Sequence, residues 1–175
     1  HPTVVFVGHL ARRENDEAVT WLLDEVWPLV RPAVPDVRLR VVGGGASRDL
    51  ERRLAAEPGV EATGFVEDLA AEYRRAWLCV VPVRDGAGVK FKTVEAVVAG
   101  VPVVTTPVGA EGVAGPERFA GLTQDPEAFA AACVRVLLAP DAADAEAAVT
   151  ADWARERFSR ARFEGPVERL YLGGG

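Results

Sequence analysis

Short β-branched runs, each halted by glycine and followed by a stretch of helical period, most restrict the folds open to this sequence. Residues 3–7 stop at Gly8, 37–42 stop at Gly43-Gly44-Gly45, 60–63 stop at Gly64, and 78–81 precede the Gly86-Ala87-Gly88 loop. The first and last of these, 3–7 and 78–81, suit strands buried on both faces, as in a parallel sheet. Between the first two runs, Ala18, Val19, Leu22, Leu23, Val26, Leu29 and Val30 recur at helical spacing. One face of that helix therefore belongs to a core. Strands alternating with helices build βαβ units with right-handed crossovers. The expected fold is α/β: a Rossmann-like, doubly wound parallel sheet of order 3-2-1-4-5-6, ending in long C-terminal helices.

Local signals place the remaining boundaries. Asn15 offers an N-cap, with Asp16 and Glu17 in the first turn, and Pro28 should kink or end that helix. Ser47 caps a helix running to about Glu57, and 68–76 is the next helix. Val89, Phe91, Val94, Val97 and Val98 are expected to line one side of a helix that Gly100 closes. A fifth strand covers 101–105, and a short sixth lies within 119–122. Asp125-Pro126 starts a helix to about Leu138, and 142–172 is helical with breaks near Thr150 and at Gly165-Pro166.

Composition excludes several functions. The 175 residues carry a net charge of -6, unlike the basic face of a nucleic-acid binder, with 49% apolar and 26% charged residues. Cys79 and Cys133, the two cysteines, lack metal-ligand spacing and read as free buried thiols suited to a reducing compartment. No stretch has the length of a membrane span or the pattern of a signal peptide. Gly43-Gly44-Gly45-Ala46-Ser47-Arg48 lacks the third glycine of a dinucleotide fingerprint and follows the second strand. A Walker lysine motif is missing, and two histidines, one of them His1, give little basis for a catalytic triad or a zinc site.

In an open parallel sheet, ligands bind at the carboxyl ends of the strands. Here those ends carry Gly8-His9, Gly43-Gly44-Gly45, Gly64-Phe65-Val66, Gly86-Ala87-Gly88 and Pro107-Val108-Gly109. Glycine there lets backbone approach a ligand closely. The segment from Gly86 to Pro102 reads as a glycine turn feeding a helix N-terminus, whose free amides suit phosphate. Lys90 adds a positive charge, and Glu95 presents a carboxylate able to accept from two vicinal sugar hydroxyls. Read as bare residues, both also fit as solvated charges on an amphipathic helix, and Lys92 is read as the solvated one of the two lysines.

The run 89–106, with Glu95-Ala96, Gly100-Val101-Pro102-Val103-Val104 and Thr105-Thr106, resembles the signature region of family 4 retaining glycosyltransferases. Phe6-Val7-Gly8, Val41-Val42-Gly43, Gly64-Phe65-Val66 with Asp68, and Gly109-Ala110-Glu111-Gly112 fit in the same order. The resemblance covers roughly residues 3–138. It implies the C-terminal, nucleotide-sugar-binding lobe of a bilobed GT-B enzyme, a single domain over 1–175. The N-terminal, acceptor-binding lobe is expected to lie outside this chain, which contains no Met and opens directly on a strand.

The resemblance further implies roles. Glu95 holds the ribose hydroxyls, and Lys90 holds and stabilises the leaving nucleoside diphosphate; these two are the expected catalytic residues. Gly86, Ala87, Gly88 and Val89 face the diphosphate or the sugar, and Gly64, Phe65 and Val66 read the nucleobase edge. Gly8, His9 and Arg12 (or Arg13) flank the phosphates, with Gly43 and Gly44 beside them. No metal ligand and no tightly bound cofactor is expected; the UDP-sugar or GDP-sugar donor is a substrate. One departure stands out: the first glutamate of the family's pair should lie eight positions before Glu95, where Ala87 stands, and Asp85 is two residues away.

The implied reaction is sugar transfer to an unidentified acceptor, with retention and without a metal, and the lobe alone should transfer nothing. The family also implies a cytoplasmic location, polysaccharide or glycolipid assembly, no nucleic-acid partner, and peripheral membrane association through the other lobe. Two further readings remain: a non-catalytic lobe that binds nucleotide or a partner, and a sugar 2-epimerase of the same fold.

Overall fold

Thr3–Val7 forms the first strand, β1, and its central residues are shut away from water on both faces. The structure, a computed structural model, describes residues 1–158. In chain order the strands are β1, β2 (Arg38–Val42), β3 (Val60–Gly64), β4 (Leu78–Val81), β5 (Val103–Thr105) and β6 (Gly121–Leu122). They form one parallel sheet of order β3-β2-β1-β4-β5-β6, as the sequence predicts. The order reverses direction between β1 and β4. Loops leaving those two strands at their carboxyl ends diverge to opposite sides and open a crevice.

The helices are α1 (Arg13–Trp21), α2 (Trp27–Ala33), α3 (Arg48–Ala56), α4 (Leu69–Arg75), α5 (Phe91–Ala99), α6 (Pro107–Ala110), α7 (Pro126–Leu138) and α8 (Pro140–Arg157). α2 packs on α7, while α5 packs on α4 and α8. Trp21 meets the Phe129 ring edge to face at 5.3 Å, joining α1 to α7. Ser47 caps α3, Asp68 caps α4 and Asp125 caps α7, each side chain accepting from a first-turn amide.

Four local expectations are corrected. Asn15 does not cap α1: the helix starts at Arg13, and Asn15 is buried inside it. Pro28 does not end the helical segment, because a π-helical stretch, Leu22–Val26, passes the chain into α2. The proline then falls in the first turn of a new helix, where its missing N–H costs little. α8 runs unbroken through Thr150, whose hydroxyl donates to the Glu146 carbonyl at 3.3 Å. The break expected at Gly165-Pro166 lies outside the described residues.

The fourth correction concerns α5. Phe91 is 79% exposed and Val89 45% exposed, whereas Thr93, Ala96 and Val97 are buried. Small residues face inward because α5 is held closely between the sheet and α8. The Thr93 hydroxyl donates to the Gly109 carbonyl at 2.8 Å, tying α5 to α6. Gly100, in the left-handed region, closes α5 as expected.

Candidate functional site

A cavity of about 420 Å³ opens at the point where the strand order reverses. Gly8, His9, Arg12, Glu14 and Asn15 line it from the β1–α1 side, and Val83, Gly86, Ala87, Val89, Lys90, Phe91 and Lys92 from the β4–α5 side. Of the residues singled out in the sequence, the cavity brings together Gly8, His9, Arg12, Gly86, Ala87, Val89 and Lys90. Gly43, Gly44, Gly64, Phe65, Val66, Gly88 and Glu95 do not line it.

Gly43 and Gly64 shape the edge of the sheet. The Gly43 amide donates to the Gly64 carbonyl, and the Gly8 amide donates to the Val42 carbonyl, each at 2.9 Å. Gly43 has φ +135°, and a Cβ there would collide with the Gly8 carbonyl. The Gly44 carbonyl accepts from the Leu10 amide at 2.8 Å, which folds the β1–α1 loop back over β2. Val66 packs against the core, while Phe65 is 83% exposed.

The Gly86–Gly88 turn is held from three directions. The Asp85 carboxylate accepts from the Gly86 amide at 2.8 Å and from Arg13 at 2.5 Å. The Gly86 amide, and then Arg13, hold the Asp85 carboxyl below its ordinary range. Glu111 accepts from the Gly88 amide at 3.0 Å. Lys90 donates to the Gly88 carbonyl at 2.7 Å and lies 3.4 Å from the Gly86 carbonyl, with Glu111 at 4.0 Å. The Lys90 ammonium is therefore wrapped by its own loop.

Lys92 corrects an expectation. It is not a solvated charge: it is part-buried, and its ammonium donates to the Asn15 side-chain oxygen and lies 4.8 Å from the centre of the Phe6 ring. Burial pulls it down from 10.5 to about 8; Cys79 and Glu14 act against the shift, and Lys90 and Arg12 with it. The Asn15 amide nitrogen in turn donates to the His9 carbonyl at 2.9 Å, so Asn15 fastens the His9 loop to Lys92. A Cβ on Gly8 would lie 2.9 Å from the Lys92 ammonium and 3.0 Å from Asn15. Gly8 is thus the vacancy that admits both side chains, and the Asn15–Lys92 pair went unread because its members lie 77 positions apart.

Glu95 is exposed on α5, and the Tyr73 hydroxyl stands 3.4 Å from its carboxylate and 3.3 Å from the Lys92 carbonyl. Burial raises the Tyr73 phenol far above its ordinary range. Cys79 and Cys133 are buried free thiols. Among the described residues, no group of three or more His, Cys, Asp or Glu side chains is placed to hold a metal ion, and no helix is long and apolar enough to cross a membrane.

Comparison with known proteins agrees with this architecture. The family model described as "Glycosyl transferases group 1" matches residues 1–139, and the chain belongs to that family. An uncharacterized 44.6 kDa protein in the cps region of Klebsiella pneumoniae is 32% identical over 117 residues, 62% of this chain and 30% of that protein. A crystal structure of S. aureus TarM, in complex with fondaparinux, α-GlcNAc-glycerol and UDP, matches with a TM-score of 0.78 at 15% identity, over 99% of this chain and 35% of that one. Sucrose-phosphate synthase from Thermosynechococcus elongatus matches with a TM-score of 0.76 at 26% identity, over 98% of this chain and 45% of that one. The fold is that of a GT-B glycosyltransferase lobe, and the chain spans less than half the length of each of these relatives.

Proposed function

We propose that this chain is the donor-binding lobe of a two-lobed glycosyltransferase. The whole protein moves a sugar from a nucleoside-diphosphate sugar to an acceptor, with retention and without a metal. The observation that carries this reading is the cavity at the strand reversal, lined by Arg12, Lys90 and Lys92 against a single carboxylate, Glu14. Positive groups and loop amides stabilise a departing diphosphate where its charge develops, which is the work a metal does in other sites.

Within this reading, the Gly86–Gly88 turn and Val89 face the donor, with Lys90 setting the shape of the turn. His9 and Arg12 close the opposite wall. Glu95 accepts from the ribose hydroxyls, and Gly64, Phe65 and Val66 meet the base. Uridine is the first base to try, because the TarM complex contains UDP. The acceptor belongs to the other lobe, and the reading carries with it a cytoplasmic location.

Calorimetry with UDP, GDP, ADP and dTDP tests it. One of the four binds the wild type, and Glu95→Ala weakens that binding about tenfold with stability unchanged, since two charge-assisted hydrogen bonds are lost from an exposed side chain. Failure of all four to bind overturns the reading.

One observation favours a second reading, a lobe that binds nucleotide without catalysis. Ala87 stands where the resemblance places a carboxylate, and Asp85 is committed to Arg13 and to the Gly86 amide. Donor hydrolysis by the full-length protein distinguishes the two: turnover supports the enzyme, and tight binding without turnover supports the second reading.

A further inference from the structure

The ammonium of Lys92 has no carboxylate partner among the described residues, although it lies part-buried against the Phe6 ring. Its hydrogen-bond acceptor is a neutral amide oxygen, that of Asn15. Four charged or ionisable groups act on it electrostatically: Arg12 from the β1–α1 loop, Glu14 from α1 and Lys90 from the glycine turn, which line the same cavity, and the Cys79 thiol from β4. Two of these are cations. A part-buried cation with this company is costly, and an anion drawn into the same space would offset the cost. Lys92 also lines the cavity, so the offsetting charge can arrive as a ligand. Lys90 is less available, because the carbonyls of Gly86 and Gly88 already surround its ammonium.

Resting on the reading above, we propose that Lys92, positioned by Asn15 in the space left by Gly8, is the residue that receives the diphosphate of the donor. Asn15 is the positioning residue: its amide nitrogen is anchored on His9, so its oxygen holds the ammonium at the cavity wall. Phosphate oxygens are better acceptors for an ammonium than an amide oxygen, and they favour its protonated form.

Calorimetry at about pH 8.5, with UDP and separately with inorganic diphosphate, tests the assignment in two buffers of different ionisation enthalpy. The wild type takes up a proton on binding, because the anion raises the Lys92 value from about 8. Lys92→Met loses about tenfold or more in affinity and loses the proton uptake. Lys92→Arg, permanently charged, keeps affinity within about threefold but takes up no proton. A Lys92→Met protein that binds as tightly as the wild type, or that takes up the same proton, overturns the proposal. Thermal melts of each variant report folding, and the wild-type proton uptake is read without any substitution. Inorganic diphosphate bound through Lys92, with no nucleotide bound, upholds this site and overturns the nucleotide-sugar reading. UDP bound equally by wild type and Lys92→Met upholds that reading and overturns this site. Binding of neither inorganic diphosphate nor any of the four nucleoside diphosphates overturns both.

Discussion

Arg13 meets Asp85 at 2.5 Å across the point where the strand order reverses, joining the start of α1 to the loop that leaves β4. Both side chains are largely exposed, so the pair contributes little to global stability. Its effect is local, because the same carboxylate also receives the Gly86 amide. Asp85→Ala frees that amide and loosens the glycine turn. The expected outcome is a melting temperature close to that of the wild type and a several-fold loss of nucleotide affinity, read by thermal melts and calorimetry.

Gly43→Ala is expected to damage the fold itself. A Cβ there meets the Gly8 carbonyl, and φ +135° is a conformation that alanine rarely adopts. Strain and overlap together cost about 2–4 kcal/mol. Chemical denaturation measures this loss; Gly44→Ala, whose nearest contact is the Phe65 amide at 3.9 Å, is the matched control with a much smaller effect.

Thr93→Val keeps the shape of the side chain and removes one donor. The Gly109 carbonyl then loses the buried hydroxyl that reaches it at 2.8 Å. An acceptor stranded in this way costs about 1–3 kcal/mol. Urea unfolding of the variant checks the value, and amide exchange around Gly109 checks its location.

Stability is expected to depend on pH through Lys92. Its folded value of about 8 lies below the ordinary 10.5, so from about pH 8 upward the unfolded chain holds the proton longer, and stability rises. Burial acts oppositely on the thiols. Cys79 is pushed from 9.0 up to about 12 and Cys133 higher still, so approaching about pH 9 and above it the unfolded chain ionises first, which lowers stability. The Tyr73 phenol adds to that fall above about pH 10. Lys92 alone contributes a gain of about 1 kcal/mol between pH 8 and 9, and the two thiols offset most of it, so the net expectation is a gain of a few tenths of a kcal/mol, then a decline. Urea titrations at stepped pH should show Lys92→Met losing the gain and keeping the decline.

The sheet was legible because its signals are local. Val4, Val5 and Phe6 are apolar together and end at Gly8, and both facts lie within a few residues. The capping oxygens of Ser47 and Asp125 reach amides three positions away, so they too could be read directly. The site was only partly legible. Glycine-ended strands disclosed the edge of the sheet at which the cavity opens, but not that Lys92 lines it beside Lys90. Apolar spacing placed Val97 and Val98 on the inward side of α5 as found, but not Val89 and Phe91, which precede the buried stretch and stand exposed, while Thr93 and Ala96 complete the inward face. Lys92 looks solvated because its partner Asn15 lies 77 positions away, and Asn15 looks like a cap because Asp16 and Glu17 follow it.

The two walls of the crevice differ in what fastens them. On the Gly8 side, main chain bears directly on main chain from β1 through Gly43 to Gly64, and Asn15 adds a single side-chain tie to the His9 carbonyl. On the Gly86 side, the turn hangs from Asp85, Lys90 and Glu111, each a side chain able to change rotamer. The first wall is an anvil and the second a latch, so accommodation to guests of different bulk falls to the latch.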